Sequence, residues 1–203
     1  MAKFDYGSKC AHPHICKRLM TEFLQEAATA TYEAEYTVLM GEDEDGWPIF
    51  GESYSEELPR KVKLTKGRAF CTETEPMDEE FIEIMYSFKQ LARHDDGEIE
   101  FGRNIRFRAP FTAGFSSLTL ALLHELGHNE TLDDVPDYYD REKALKQTHK
   151  HCNGNLRMLN MMYFSLPDEY LATQWAIDWL SDEDNRKRAK QFERDFFKAW
   201  RGE

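Results

Sequence analysis

The chain has 203 residues, of which 41 % are hydrophobic, 13 % aromatic and 32 % charged, an ordinary globular composition with length enough for a real core. Its net charge of −12 argues against binding nucleic acid through phosphates, because that affinity comes from Lys and Arg; it suits a soluble protein, a basic partner or mimicry of nucleic acid. No apolar run approaches the roughly 20 residues of a membrane span, MAKFDYGSKC at the N-terminus lacks a hydrophobic signal core, and Cys10, Cys16, Cys71 and Cys152 are too sparse for a disulfide scaffold, so a cytoplasmic protein with reduced thiols is expected.

Cys10, His12, His14 and Cys16 spell C-x-H-x-H-x-C. An extended strand would spread them over roughly 20 Å, too far for one ion. A second, structural metal site would therefore need a loop bent at Pro13, and unpaired surface side chains are the plainer reading. From Lys17 to about Ala28, Leu19, Met20, Phe23, Leu24 and Ala27 recur at three and four, which predicts a helix with one face inward. The period then changes: Ala30, Tyr32, Ala34, Tyr36 and Val38 alternate with polar residues, which is a strand period, with continued helix as the alternative. GEDEDG (41–46) is a turn, and WPIFG begins the returning strand. The acidic run lacks the ligand spacing of a calcium loop.

KVKLTKGRAFC, after Pro59, alternates weakly and is expected to pair with that hairpin. With Pro76 as an early-turn residue, Met77 to Arg93 places Phe81, Ile84, Met85, Phe88 and Leu91 on one stripe, which predicts a helix. EIEFGRNIRFRAP (98–110) alternates again as a hairpin or edge strand stopped by Pro110. An exposed sheet edge there could take an extended peptide as an additional strand.

Phe115 to Asn129, FSSLTLALLHELGHN, reads as a helix apolar on nearly every side, and such a helix belongs inside a core. It carries H-E-x-x-H. His124 and His128, four apart, share a face one turn apart and make a two-point chelate. Glu125 lies roughly 100° further round, placed to hold a water bound to the ion and take its proton in metal-assisted hydrolysis. Zn²⁺ suits such ligands and keeps one position open. The bland alternative is two core histidines satisfied by hydrogen bonds, but two histidines and a glutamate inside an apolar helix are costly to bury without partners.

Thr131 to Asn155 is polar and reads as an insertion or cover with a short helix, REKALKQTHKH. His149, His151, Asp133 and Asp134 are candidates for a third ligand, each more simply a polar loop residue. In PDEYLATQWAIDWL (167–180), Glu169 is the sole carboxylate on a face shared with Ala172, Thr173, Ala176 and Leu180. Small residues let helices approach, and Gly127 would permit it from the other side. Glu169 would then complete a His₂Glu site; the alternative is an acidic residue favoured near a helix start. Asp168 and Asp178 point elsewhere. The C-terminal stretch from Ser181 is an amphipathic helix whose Phe192, Phe196 and Trp200 pack back on the domain.

HELGH followed downstream by E-Y-x-A-T-x-W-A resembles the glutamate-type zincins and, within them, is similar to the ImmA/IrrE family of metallopeptidases of phages and mobile elements. The resemblance covers about residues 100 to 181. It implies that His124, His128 and Glu169 are zinc ligands and that Glu125 is the general base. The expectation is a single α+β zincin-like domain over 1–203, with a helix and small sheet over 1–76 extending a metallopeptidase core over 77–203 whose small sheet is mixed or antiparallel. The expected activity is zinc-dependent endopeptidase, acting on a protein or peptide lying along strand 103–108, with no nucleic acid and no membrane as partner. His149, His151, Tyr163 and Tyr170 are the conceivable oxyanion donors. The competing reading is a non-catalytic, zinc-stabilised interaction or inhibitor protein from a phage or mobile element.

Overall fold

In the computed structural model, which describes residues 10–66, 71–72, 80–86, 98–101, 105–108 and 117–203, the chain opens with α1 (Pro13–Ala27). Pro13 sits in its first turn, where a missing N–H costs nothing. Cys16, Met20, Phe23, Leu24 and Ala27 form its buried stripe. Two long antiparallel strands follow, β1 (Thr31–Glu42) and β2 (Pro48–Pro59). The turn between them is closed by the Asp43 carboxylate, which accepts from Asp45 N at 2.9 Å and Trp47 N at 2.8 Å. Gly46 takes the left-handed φ of 80° that this turn requires.

Two expectations fail in the next stretch. Strand β3 (Lys61–Lys66) does not join the hairpin; it pairs in parallel with β5 (Phe81–Tyr86), Lys61 opposite Phe81 and Lys66 opposite Tyr86. β4 (Cys71–Thr72) adds to the other edge of β5, antiparallel, giving the order β3-β5-β4. The helix expected over Met77 to Arg93 is therefore replaced by a strand at its described centre. Ile82, Ile84 and Tyr86 are buried and alternate with Phe81, Glu83 and Met85. The apolar residues of this segment fit both periods, and parallel pairing with a strand 20 residues earlier decides between them. Lys61–Glu80 and Lys63–Glu83 ion pairs flank the pairing.

β6 (Glu98–Phe101) and β7 (Ile105–Arg108) make the expected hairpin, a two-stranded sheet of their own with Ile99 opposite Phe107. Residues 102–104 and 109–116, which include Pro110 and Phe115, lie outside the described residues. Then come α2 (Ser117–Glu130), a short 3₁₀ turn (Leu132–Asp134), α3 (Arg141–Cys152), α4 (Leu156–Tyr163), α5 (Pro167–Ser181) and α6 (Glu183–Arg201). The short helix α4 was not anticipated. Helix α6 is capped by Asp182 rather than Ser181: its carboxylate accepts from Asp184 N and Asn185 N, both at 2.9 Å.

The result is a mixed α+β fold organised around α2. Every residue from Leu118 to His128 is buried. Leu118, Leu122, Leu123 and Leu126 share one core cluster with Met20 and Leu24 of α1, Ile82 and Ile84 of β5, Ala176 of α5, and Phe192 and Phe196 of α6. Each of these Leu, Met, Ile and Phe side chains contributes about 1.5–3 kcal/mol by leaving water. Phe23 and Phe192 stack at 4.4 Å, which fixes α6 against α1 as its apolar stripe requires. Among the described residues no helix is long and apolar enough to cross a membrane.

Candidate metal centre

One helical turn separates His124 from His128 on α2, so their rings stand together, centroids 4.7 Å apart and planes at 76°. The third group comes from α5. Its approach depends on Gly127, where a β-carbon would lie 2.6 Å from the Ala172 carbonyl oxygen. With the two backbones this close, Glu169, one turn before Ala172, reaches both histidines. Its Oε2 lies 3.2 Å from His124 Nε2 and 3.7 Å from His128 Nε2. One ligand atom from each of the three lies within 4.8 Å of the others. Bonds of roughly 2.0–2.1 Å to a tetrahedral ion put ligand atoms about 3.3 Å apart, close to the two separations from the carboxylate. His124, His128 and Glu169 are 2 %, 9 % and 1 % exposed.

The hydrogen bonds around His124 test whether a cation belongs there. Thr173, one turn beyond Glu169, donates its hydroxyl to the Glu169 carbonyl oxygen at 2.8 Å. With its proton committed, Thr173 Oγ1 accepts from His124 Nδ1 at 3.0 Å. A neutral His124 then carries its proton on Nδ1 and turns the Nε2 lone pair toward the carboxylate, itself an acceptor. Acceptor faces acceptor in a buried site, and either a proton on Nε2 or a cation between the groups resolves the conflict. Two imidazoles and a carboxylate are the donor set of a divalent transition ion. The residues fit.

Burial alone would depress the His124 pKa, but the Glu169 carboxylate outweighs it and holds the imidazole above its ordinary value. Burial alone would raise Glu169, yet its hydrogen bond to His124 and the charges of both histidines hold it well below the usual carboxylate range. For His128, burial and then the His124 charge prevail, and its pKa falls to about 3. Near neutral pH His128 is therefore a neutral ligand, and the Glu169 carboxylate favours the protonated form of His124 when no ion is bound.

Arg141, at the start of α3, secures the carboxylate from behind. Its Nη2 donates to Glu169 Oε1 at 2.8 Å, leaving Oε2 to the histidines. Its Nη1 pairs with Asp168, whose other oxygen accepts from the Tyr139 hydroxyl at 2.6 Å. Asp168 thus faces away from the histidines, as expected, but supports the site by anchoring Arg141. Nothing in the sequence marks Arg141 or Tyr139 for this role. Arg141 looks like one more charge on a polar helix, and its partners lie 27 and 28 residues downstream.

Glu125 follows His124 on α2 and is 3 % exposed, and its charge is felt at His124 and at Tyr163. Of the suggested oxyanion donors, Tyr163 is the one the structure brings to the cluster; Arg141 Nη2 lies 3.4 Å from its hydroxyl. His149, His151 and Tyr170 are exposed, as are Asp133 and Asp134, which removes these four His and Asp residues as third ligands. Of the Cys10, His12, His14, Cys16 row, the two sulfurs meet at 3.3 Å. The row as a whole does not gather: among the described residues, His124, His128 and Glu169 are the one group of three placed to hold an ion.

Comparison of this chain with family models, with curated proteins and with solved structures returned no match.

Proposed function

We propose that this chain is a zinc-dependent endopeptidase of the zincin type, similar in its site to the ImmA/IrrE metallopeptidases. The observation that carries the reading is the convergence of His124, His128 and Glu169 around one point with Glu125 buried beside His124 on the same helix. His124, His128 and Glu169 would hold Zn²⁺, Thr173 fixing the ring of the first and Arg141 the carboxylate of the last. A bound Zn²⁺ supplies Lewis acidity, which makes water a nucleophile near neutral pH and polarises a carbonyl. Glu125 takes the proton from the attacking water as the new C–O bond forms. It then delivers that proton to the amide nitrogen as the C–N bond breaks, so the leaving group departs as an amine. The β6–β7 hairpin, in its own two-stranded sheet, offers an edge on which an extended substrate could be held by main-chain hydrogen bonds.

The depth of the site supports a second reading, in which the ion only stabilises the fold of an interaction protein. Every residue of the cluster is 9 % exposed or less. Glu125→Gln separates the two readings. For a peptidase, the variant keeps its zinc but loses cleavage of a casein or fluorogenic peptide panel by about 100-fold or more. A zinc-loaded wild type that cleaves nothing in the panel, with Glu125→Gln unchanged in biological activity, favours the structural ion.

A further inference from the structure

Among the described residues, no other element covers the outer part of the β1–β2 hairpin. Every residue from Glu35 to Glu57 is exposed. Its outer half is nevertheless apolar: Leu39, Met40, Trp47 and Phe50 are 61 %, 69 %, 70 % and 62 % exposed, with Val38 and Ile49 beside them. These side chains are grouped. Leu39 pairs opposite Phe50, and Met40 lies over Gly51, where a β-carbon would be 2.9 Å from Met40 Cγ. Tyr36 and Tyr54 stack behind them at 5.3 Å. Exposed apolar side chains concentrated in this way mark a contact surface. A two-stranded ribbon is also marginal in water by itself, so a partner covering it would stabilise it as well.

Charge selects the partner. Residues 31–59 contain nine Asp and Glu and no Lys, Arg or His, so this hairpin carries most of the net charge of −12. Such an arm repels nucleic-acid phosphates and anionic lipid headgroups, both of which are held by Lys and Arg. It equally repels the same arm of a second copy. We propose that the β1–β2 arm is a docking surface for a basic protein, whose Lys and Arg face the carboxylates of the strands while its apolar side chains cover Leu39, Met40, Trp47 and Phe50. The arm contains none of His124, Glu125, His128 or Glu169, so this inference holds or fails independently of the peptidase reading.

The probe is a 12-residue peptide of alternating Lys and Leu added to the full-length chain, with Lys–Ser and Glu–Leu peptides as controls. Binding is followed by calorimetry and by the emission of Trp47, identified by its loss in Trp47→Phe. The Lys–Leu peptide is expected to bind with a blue shift. The Lys–Ser peptide binds at least about 10-fold more weakly, as does a Leu39→Ser/Met40→Ser/Phe50→Ser variant to the Lys–Leu peptide, and the Glu–Leu peptide does not bind. Raising salt from about 50 to about 300 mM weakens the Lys–Leu complex roughly 10-fold. Amide exchange on the wild type supplies a second reading, with protection confined to residues 31–59. Equal binding by the triple variant, absence of binding, wild-type dimerisation abolished by the tip substitutions, or uptake onto phosphatidylcholine vesicles in place of the peptide would each overturn the proposal.

Discussion

Gly127 and Ala172 meet backbone to backbone: a β-carbon on the glycine would lie 2.6 Å from the alanine carbonyl oxygen and 3.0 Å from its α-carbon. Backbone does not swing aside as a side-chain end does. Gly127→Ala must therefore push α5 away from α2 and carry Glu169 with it. The expected result is a loss of stability of about 1–3 kcal/mol in urea together with weaker zinc binding in chelator competition. A variant with wild-type affinity would show that the close approach does not set the position of Glu169.

Thr173 acts on the ion through His124. Thr173→Val keeps the shape but removes the acceptor for Nδ1. Zinc affinity should fall about 10–100-fold, the range seen when an outer partner of a ligand is lost. Thr173→Ser, which restores the hydroxyl, should recover most of it. Equal losses in both variants would point to packing rather than to orientation of the ring.

Arg141 neutralises two buried carboxylates at once. Arg141→Met leaves Asp168 and Glu169 without their cation and should destabilise the metal-free protein by about 2–4 kcal/mol. That is less than a fully buried pair would cost, because 37 % of the arginine side chain still reaches solvent. Added zinc should restore part of the loss, since it supplies positive charge to the same carboxylate. Chemical denaturation with and without zinc measures both effects.

The two histidines and Glu169 were legible because helical spacing is rigid. Positions 124 and 128 must share a face, and a single carboxylate among small residues marks the face of α5 that meets α2. Arg141 was not legible, because nothing local distinguishes it from Lys143 or Lys146, and only the fold brings it to Glu169. The segment Phe81–Tyr86 failed for a different reason. Its apolar residues satisfy helix and strand periods together, and the parallel partner that settles the matter lies at Lys61–Lys66. The alternation of the long hairpin predicts its two strands but not its exposure: alternation normally implies one buried face, and among the described residues nothing covers either face of the outer half.

The metal-free protein should have its greatest stability near neutral pH. His128 has a folded pKa of about 3 against an ordinary value of 6.5, so between these values the unfolded chain binds a proton that the folded chain does not. Stability therefore falls as pH drops through that window, by up to about 1.4 kcal/mol per pH unit. Glu169, held below its ordinary value, acts in the same direction: its contribution is present above the usual carboxylate range and is lost as pH falls through its folded value. His124 has the opposite sign. Its raised pKa contributes stability that is present below 6.5 and lost as pH rises through the folded value. Urea midpoints across pH 3–9, wild type beside His128→Asn, test the acid limb. The variant should show a shallower acid decline, and an identical slope would assign that decline to other groups.

The most direct test of the centre is zinc stoichiometry and affinity for the wild type beside Glu169→Ala. The wild type should hold one zinc per chain. The variant should bind it more weakly by over the roughly 10–100-fold expected for an outer partner, with His124 and His128 left as a two-point chelate. Equal stoichiometry and affinity in the two proteins would contradict a site built from two turns of one helix and a glutamate from another.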